Sequence, residues 1–179
     1  MDASSSEATL IQQAQQGDAK AFGQLYERYA DRVYRYLAFR LRDAMEAEDL
    51  TAETFIRVLQ HLPHYRPHGT PWGAWLFRIA HNVLIDHWRH STRHQPLALE
   101  NGATVENGTA ARALHHVLTR ADLERGIAQL TDLQQQAITL RFIAGCSIAE
   151  TAYVMQRSEQ AVKDLQHKAL IALRKSLER

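Results

Sequence analysis

Apolar residues recur three and four positions apart along almost the whole chain, and no stretch alternates apolar with polar residues long enough to mark a strand. The pattern predicts an all-α fold. Asp18 stands where it can cap a helix carrying Phe22, Leu25, Tyr26, Tyr29, Val33, Tyr36 and Leu37. A second helix is expected from about Glu46, with Leu50, Phe55, Val58, Leu59 and Leu62 as its apolar positions, ending near Pro63. His61 to Gly69 holds Pro63, Pro67 and Gly69 and reads as a loop. Thr70-Pro71 then supplies an N-cap followed by proline at the first helical position, and the helix it opens is expected to reach about Arg89.

Beyond Ser91 the apolar period fails, and Pro96, Gly102 and Gly108 appear among Asn and Thr. Residues 91–112 are therefore expected to be a flexible linker joining two small helical domains, 1–90 and 113–179. Helical pattern resumes near Ala110 and continues to Leu130. Thr131 with Gln134 makes a capping box for a helix that Gly145 ends, and Ser147 with Glu150 makes another for a short helix stopping around Gln156. Ser158 can cap the last helix, which carries Val162, Leu165, Ala169, Leu170 and Leu173.

Composition narrows the function classes. The chain has 179 residues, 45% hydrophobic and 23% charged, which is ordinary globular composition with no room for a large enzyme with a separate substrate domain. Cys146 is alone and cannot form an internal disulfide. The start, Met1 to Glu7, has no basic and apolar signal region, and no window approaches the roughly 18 apolar residues of a spanning helix. No membrane insertion and a cytoplasmic location are expected. The net charge of +1 conceals an uneven distribution. Acids gather as Asp31, Asp43, Glu46, Glu48, Asp49 and Glu53, while bases gather in Arg78 to Arg93 and in Arg157 to Arg179. That separation suggests two kinds of partner.

The C-terminal layout of short capped helix, tight turn and longer helix is that of a helix-turn-helix, whose second helix enters the major groove. Gln160, Lys163, His167 and Lys168 fall away from the apolar stripe and would face DNA. Ser158 and the free amides beside it lie where a phosphate would meet the positive end of the helix dipole. The alternative is a plain helical hairpin with a solvated charged face. Along the helix from Pro71, Trp75, Arg78, Asn82, Ile85 and Arg89 share one side, while Leu76, Ala80 and Val83 form a core-like stripe. An aromatic beside Arg and Asn suits unstacked, single-stranded DNA, although a tryptophan at helical spacing also suits a core. The carboxylates between Glu46 and Glu53 would repel phosphate and suit a basic protein partner, or else a solvated face. His87, His90 and His94 lie three and four apart, but there is no HExxH frame and no second cysteine. No nucleophile turn of the GxSxG kind accompanies Asp86 and His87. No catalytic, metal or cofactor site is expected.

Three segments in order resemble the extracytoplasmic-function (ECF) sigma factors of bacterial RNA polymerase. Glu48 to Val58 is similar to the family's polymerase-gripping segment, Trp75 to Asp86 to its promoter-melting helix, and Leu140-Arg141-Phe142 with Ser147 to Leu173 to its reader of the upstream promoter element. The resemblance implies a non-enzymatic factor that binds RNA polymerase core and directs transcription initiation at −35 and −10 promoter elements, with room for an anti-sigma partner. It implies polymerase contacts for Asp49, Leu50, Glu53 and Phe55. It implies −10 contacts for Asn82 beside Trp75, Arg78 and Arg89, and −35 contacts for Lys163, His167 and Lys168 with Ser158 and Gln160. Ala52 stands where many relatives carry Gln, and Asp164 puts a carboxylate on the reading helix. The rival reading is a stand-alone helix-turn-helix transcriptional regulator, which leaves the acidic helix and the Trp75 side without a task.

Overall fold

The computed structural model describes residues 6–67, 69–94 and 120–177, and every regular element among them is helical. Four helices make the N-terminal unit: α1 (Glu7–Gln15), α2 (Ala19–Leu41), α3 (Ala44–His61) and α4 (Trp72–His94), with a 3-10 turn at Leu62–His64 before α4. The expected helix start at Asp18 is present, its carboxylate accepting from the Lys20 and Ala21 amides at 2.8 and 3.3 Å. α3 starts at Ala44, earlier than Glu46, because Asp43 caps the Glu46 amide at 2.9 Å. Within α3 the buried hydroxyls of Thr51 and Thr54 donate to the Ala47 and Leu50 carbonyls, so two polar side chains sit in the core with their hydrogens satisfied.

Three features depart from expectation. α1 was not marked by the apolar pattern; it is only nine residues long, and it is held by burial of Leu10, Ile11 and Ala14 and by the Ser6 cap. Pro71 occupies the cap position of α4, accepting from the Trp75 amide at 3.1 Å, so Trp72 is the first helical residue. α4 also continues past Arg89 to His94, into the expected linker. Its last turns are anchored by Trp88, whose ring lies 5.0 Å from the Arg40 guanidinium of α2.

The C-terminal unit comprises α5 (Arg120–Ala128), α6 (Asp132–Ile138), a π turn at Thr139–Ile143, α7 (Ile148–Met155) and α8 (Glu159–Leu177). Both expected capping boxes are formed, Thr131 with Gln134 and Ser147 with Glu150. Gly145 stops the preceding turn at φ +70, and Gln156 ends α7 in the left-handed conformation at φ 53. The linker expected beyond His94, and the helical stretch expected from Ala110 to Thr119, lie outside the described residues.

The two units share a core. Leu76, Phe77 and Ala80 of α4 belong to one buried cluster with Ala137, Leu140, Val154 and Met155 of the C-terminal unit. Arg32 of α2 donates from Nε to the Ala144 carbonyl at 2.8 Å and from Nη2 to that of Gly145 at 3.2 Å. Phe39 of α2 packs against a second cluster formed by Ile127, Leu130, Ile138, Ala169 and Leu173.

Candidate protein and nucleic-acid interfaces

One face of α4 opens onto a cleft of about 360 Å³ lined by Trp75, Arg78 and Asn82, with Arg57 of α3, His61, His64 and Tyr65 of the preceding turn, and Tyr153 of α7. Trp75 is half-buried: its ring meets Tyr65 at 4.7 Å and Trp72 at 5.1 Å, while its outer edge faces the cleft. Trp75 is thus in part a packing residue, and the rest of it lines the cleft. The turn is fixed because Gln15 donates to the Leu62 and Tyr65 carbonyls at 2.9 and 2.8 Å, and the Tyr65 hydroxyl donates to Thr70 at 2.8 Å. Asn82 is exposed and lines the cleft. Arg57 is committed, donating to Glu53 and to Asp86 at 2.8 Å each. Arg78 donates from Nη1 to the Val154 carbonyl at 2.6 Å.

The structure brings three of the four α4 residues together. Arg89 is exposed farther along the helix and outside the cleft lining, and Ile85 lines a different hollow beside Arg40 and Trp88. Sequence reasoning missed His61, His64 and Tyr65, whose only signal was the clustering of rings in a turn flanked by prolines. The cleft combines stacking surfaces with hydrogen-bond donors, which is what an unstacked base requires.

On α8, Ser158 accepts from the Ala161 amide at 3.1 Å and so works as the cap. Ser158, Gln160, Lys163, His167 and Lys168 are all exposed, opposite the buried Val162, Ala169 and Leu173. Gln160 is partly occupied, donating to Asp164 at 2.9 Å, which also turns that carboxylate along the helix. Arg141 braces the motif from the π turn, donating from Nε to Gln166 at 3.1 Å and from Nη1 to the Cys146 carbonyl. Burial pushes the Cys146 thiol up to about 12, so this cysteine is packing material.

On α3 the expected residues separate. Asp49 is exposed, Leu50 half-buried, and Glu53 is paired with Arg57. Phe55 is 5% exposed and stacks edge-on against Tyr26 at 4.7 Å, so a partner cannot meet its ring directly. Its inward side chain follows the apolar stripe expected of this helix, since Phe55 lies on the same side as Thr51 and Val58, which face the core. Sequence reasoning missed an exposed stripe in which Met45, Asp49, Ala52, Ile56 and Leu59 follow one another by three and four. Met45 is 78% exposed, and Ile56 and Leu59 are each 53% exposed, an apolar strip edged with acid.

His87 lies 3.4 Å from the Glu46 carboxylate, and among the described residues no group of three or more His, Cys, Asp or Glu is placed to hold a metal ion. No helix among them is long and apolar enough to cross a membrane.

Comparison with known proteins accounts for both units. The family described as Sigma-70 region 2 matches residues 25–94, and Sigma-70, region 4 matches residues 126–175. An ECF RNA polymerase sigma factor of Streptomyces coelicolor, BldN, is 40% identical over 94% of the chain. Another from Bacillus subtilis, SigX, is 32% identical over 89% of the chain and 84% of its own length. The chain belongs to the ECF sigma factors. It spans 64% of the length of the Streptomyces relative. The solved structure of CnrH in complex with the cytosolic domain of CnrY matches this sigma factor with a TM-score of 0.71 at 25% identity, covering 94% of this chain and 95% of that one. The Bartonella quintana sigma factor RpoE, in complex with the anti-sigma factor NepR, shares the fold with a TM-score of 0.72 over 89% of this chain and 98% of its own.

Proposed function

We propose that this protein binds bacterial RNA polymerase core and directs transcription initiation at promoters with −35 and −10 elements, leaving catalysis to the polymerase. The observation that carries the reading is the presence, in one chain, of three separate surfaces: the acidic and apolar α3 stripe, the α4 cleft and the exposed basic face of α8. In this reading the stripe holding Asp49, Ile56 and Leu59 meets the polymerase, with Glu53 at its edge. The cleft of Trp75, Arg78 and Asn82 holds an unstacked −10 base, and Arg89, farther along α4, lies toward the adjoining backbone. Ser158, Gln160, Lys163, His167 and Lys168 meet the −35 element in the major groove. An anti-sigma factor is a natural antagonist, by analogy with the complex of RpoE and the anti-sigma factor NepR.

A stand-alone regulator needs only α7 and α8. The test is co-elution of the purified chain with core polymerase, followed by transcription from duplex templates and from templates mismatched open at the −10 element. Asn82→Ala should relax base preference on both templates, because an edge-reading amide is lost. No co-elution, or tight promoter-specific binding by the chain alone, would favour the regulator.

A further inference from the structure

We propose that Gln15 of α1, which does not itself line the α4 cleft, is a positioning residue that sets which −10 base the cleft accepts, by fixing the 61–65 turn that walls it. This role rests on the assignment of the cleft to an unstacked base. The turn supplies His61, His64 and Tyr65 to the lining. Within it the Tyr65 amide donates to the Leu62 carbonyl at 3.1 Å. Tyr65 then leaves in extended conformation, φ −62 and ψ 133, so its own carbonyl takes no part in a helical ladder.

Gln15 ties both carbonyls from outside the turn. Its Nε2 donates to Leu62 at 2.9 Å and to Tyr65 at 2.8 Å, which commits both amide hydrogens and pins together the two peptide planes that bracket Pro63 and His64. The exposed Arg66 shares the Tyr65 carbonyl at 3.1 Å, but it adjoins the turn and moves with it. Gln15 instead refers the turn to a separate helix. That helix is anchored by burial of Leu10, Ile11 and Ala14, and by Glu7, which accepts from the Tyr29 hydroxyl of α2. Packing alone would be served by an apolar side chain at this half-buried position; a carboxamide with both hydrogens on turn carbonyls serves alignment.

The alignment reaches the cleft through Tyr65. This residue is 5% exposed, its ring lies 5.3 Å from Trp72 and 4.7 Å from Trp75, and its hydroxyl donates to the Thr70 carbonyl at 2.8 Å. A shift of the turn therefore moves His61 and His64 relative to Trp75 and alters the shape offered to a base. Choice among bases is a difference of affinities, and a wall that excludes the wrong shape supplies part of it.

Holoenzymes carrying the wild-type chain, Gln15→Met, Gln15→Lys or Asn82→Ala are compared on templates mismatched open at the −10 element, with each base in turn at every unpaired position. The readout is the ratio of affinities for the preferred and the next-best base. Gln15→Met keeps the length of the side chain and removes both donors, so this ratio should fall about fivefold, the equilibrium worth of one hydrogen bond. Gln15→Lys, whose ammonium can donate to the same carbonyls, should recover most of it. Cooperative melting of the free chain and co-elution with core polymerase should be retained in both. A fall in affinity that is equal for all bases, with the ratio unchanged, would overturn the proposal. Failure of Gln15→Lys to recover the ratio would do the same, because shape and not donation would then matter. Loss of cooperative melting in Gln15→Met would also overturn it, since the two bonds would then hold the fold and not the wall. Asn82→Ala separates this role from the reading beneath it. If Asn82→Ala alters the ratio and Gln15→Met does not, the role of Gln15 alone fails; if neither alters it, the assignment of the cleft fails and the role of Gln15 with it.

Discussion

Acidification should weaken the closed fold through His81. This imidazole sits between the units, with Nδ1 3.0 Å from the Tyr36 hydroxyl and the Gln136 amide of α6 at 3.2 Å from Nε2. Burial, aided by the neighbouring Arg78 and Arg40 charges, lowers its pKa from the ordinary 6.5 to about 4. Tyr36 is wholly buried and its own pKa is raised by burial, so it remains a phenol that donates to the neutral ring and loses that acceptor when the ring is protonated. Because the folded-state pKa lies below the unfolded one, the unfolded chain binds more protons between pH 6.5 and about 4. Stability is therefore complete above pH 6.5, falls as pH drops through that interval, and levels off below it as far as this group is concerned. At about 1.36 kcal/mol per pH unit, the full loss is about 3 kcal/mol. Urea unfolding of the wild type and of His81→Gln across the interval isolates this contribution from carboxylates that titrate nearby. The two curves should diverge between pH 6.5 and 5; parallel curves would refute the role given to His81.

Ile56→Glu and Leu59→Glu should abolish co-elution with core polymerase while changing unfolding free energy by no more than about 0.5 kcal/mol, since both side chains are largely exposed. Asp49→Lys should weaken the same complex, measured in the same column assay. Lys163→Ala or Lys168→Ala should lower holoenzyme affinity for its promoter by roughly 1–3 kcal/mol where a base is touched, or reduce the salt dependence of binding by about one charge where a phosphate is touched. Gly145→Ala should cost about 1 kcal/mol, read as a lower Tm, because φ +70 penalises a side chain although no atom crowds the site.

Much of this molecule was legible in the chain because its determinants are local. Asp18, Thr131, Ser147 and Ser158 mark helix starts by chemistry contained within four residues, and each functions as a cap. The buried stripes of α4 and α8 follow from spacing alone. What spacing could not reveal depends on partners distant in sequence. α1 exists because Leu10 and Ile11 find a core and Gln15 finds carbonyls 47 and 50 residues away. Phe55 was read both as an apolar position of α3 and, by resemblance, as a polymerase contact, and spacing alone could not say that it packs against Tyr26 of α2. The involvement of the 61–65 turn in the cleft likewise requires Gln15 and Thr70 to hold it against α4. Arg78 was assigned to DNA with no hint of Val154, a carbonyl 76 positions later.

The unbroken core across the two units bears on how such proteins can be recombined. A chimera joining this N-terminal half to the C-terminal half of a relative such as the Bacillus subtilis protein, 32% identical overall, would inherit intact caps and helices on both sides of the join. Its weak point would be the seam, where Phe77 and Ala80 would meet side chains selected against a different α4. A mismatch of one or two methylenes at such a packed boundary costs about 1–3 kcal/mol, enough to convert a transplanted promoter reader into an aggregation-prone product. Grafts that carry the whole buried face of the C-terminal unit, Ala137 and Leu140 as well as Val154 and Met155, together with its complement on α2 and α4, Arg32 and Gly73 included, keep that seam matched.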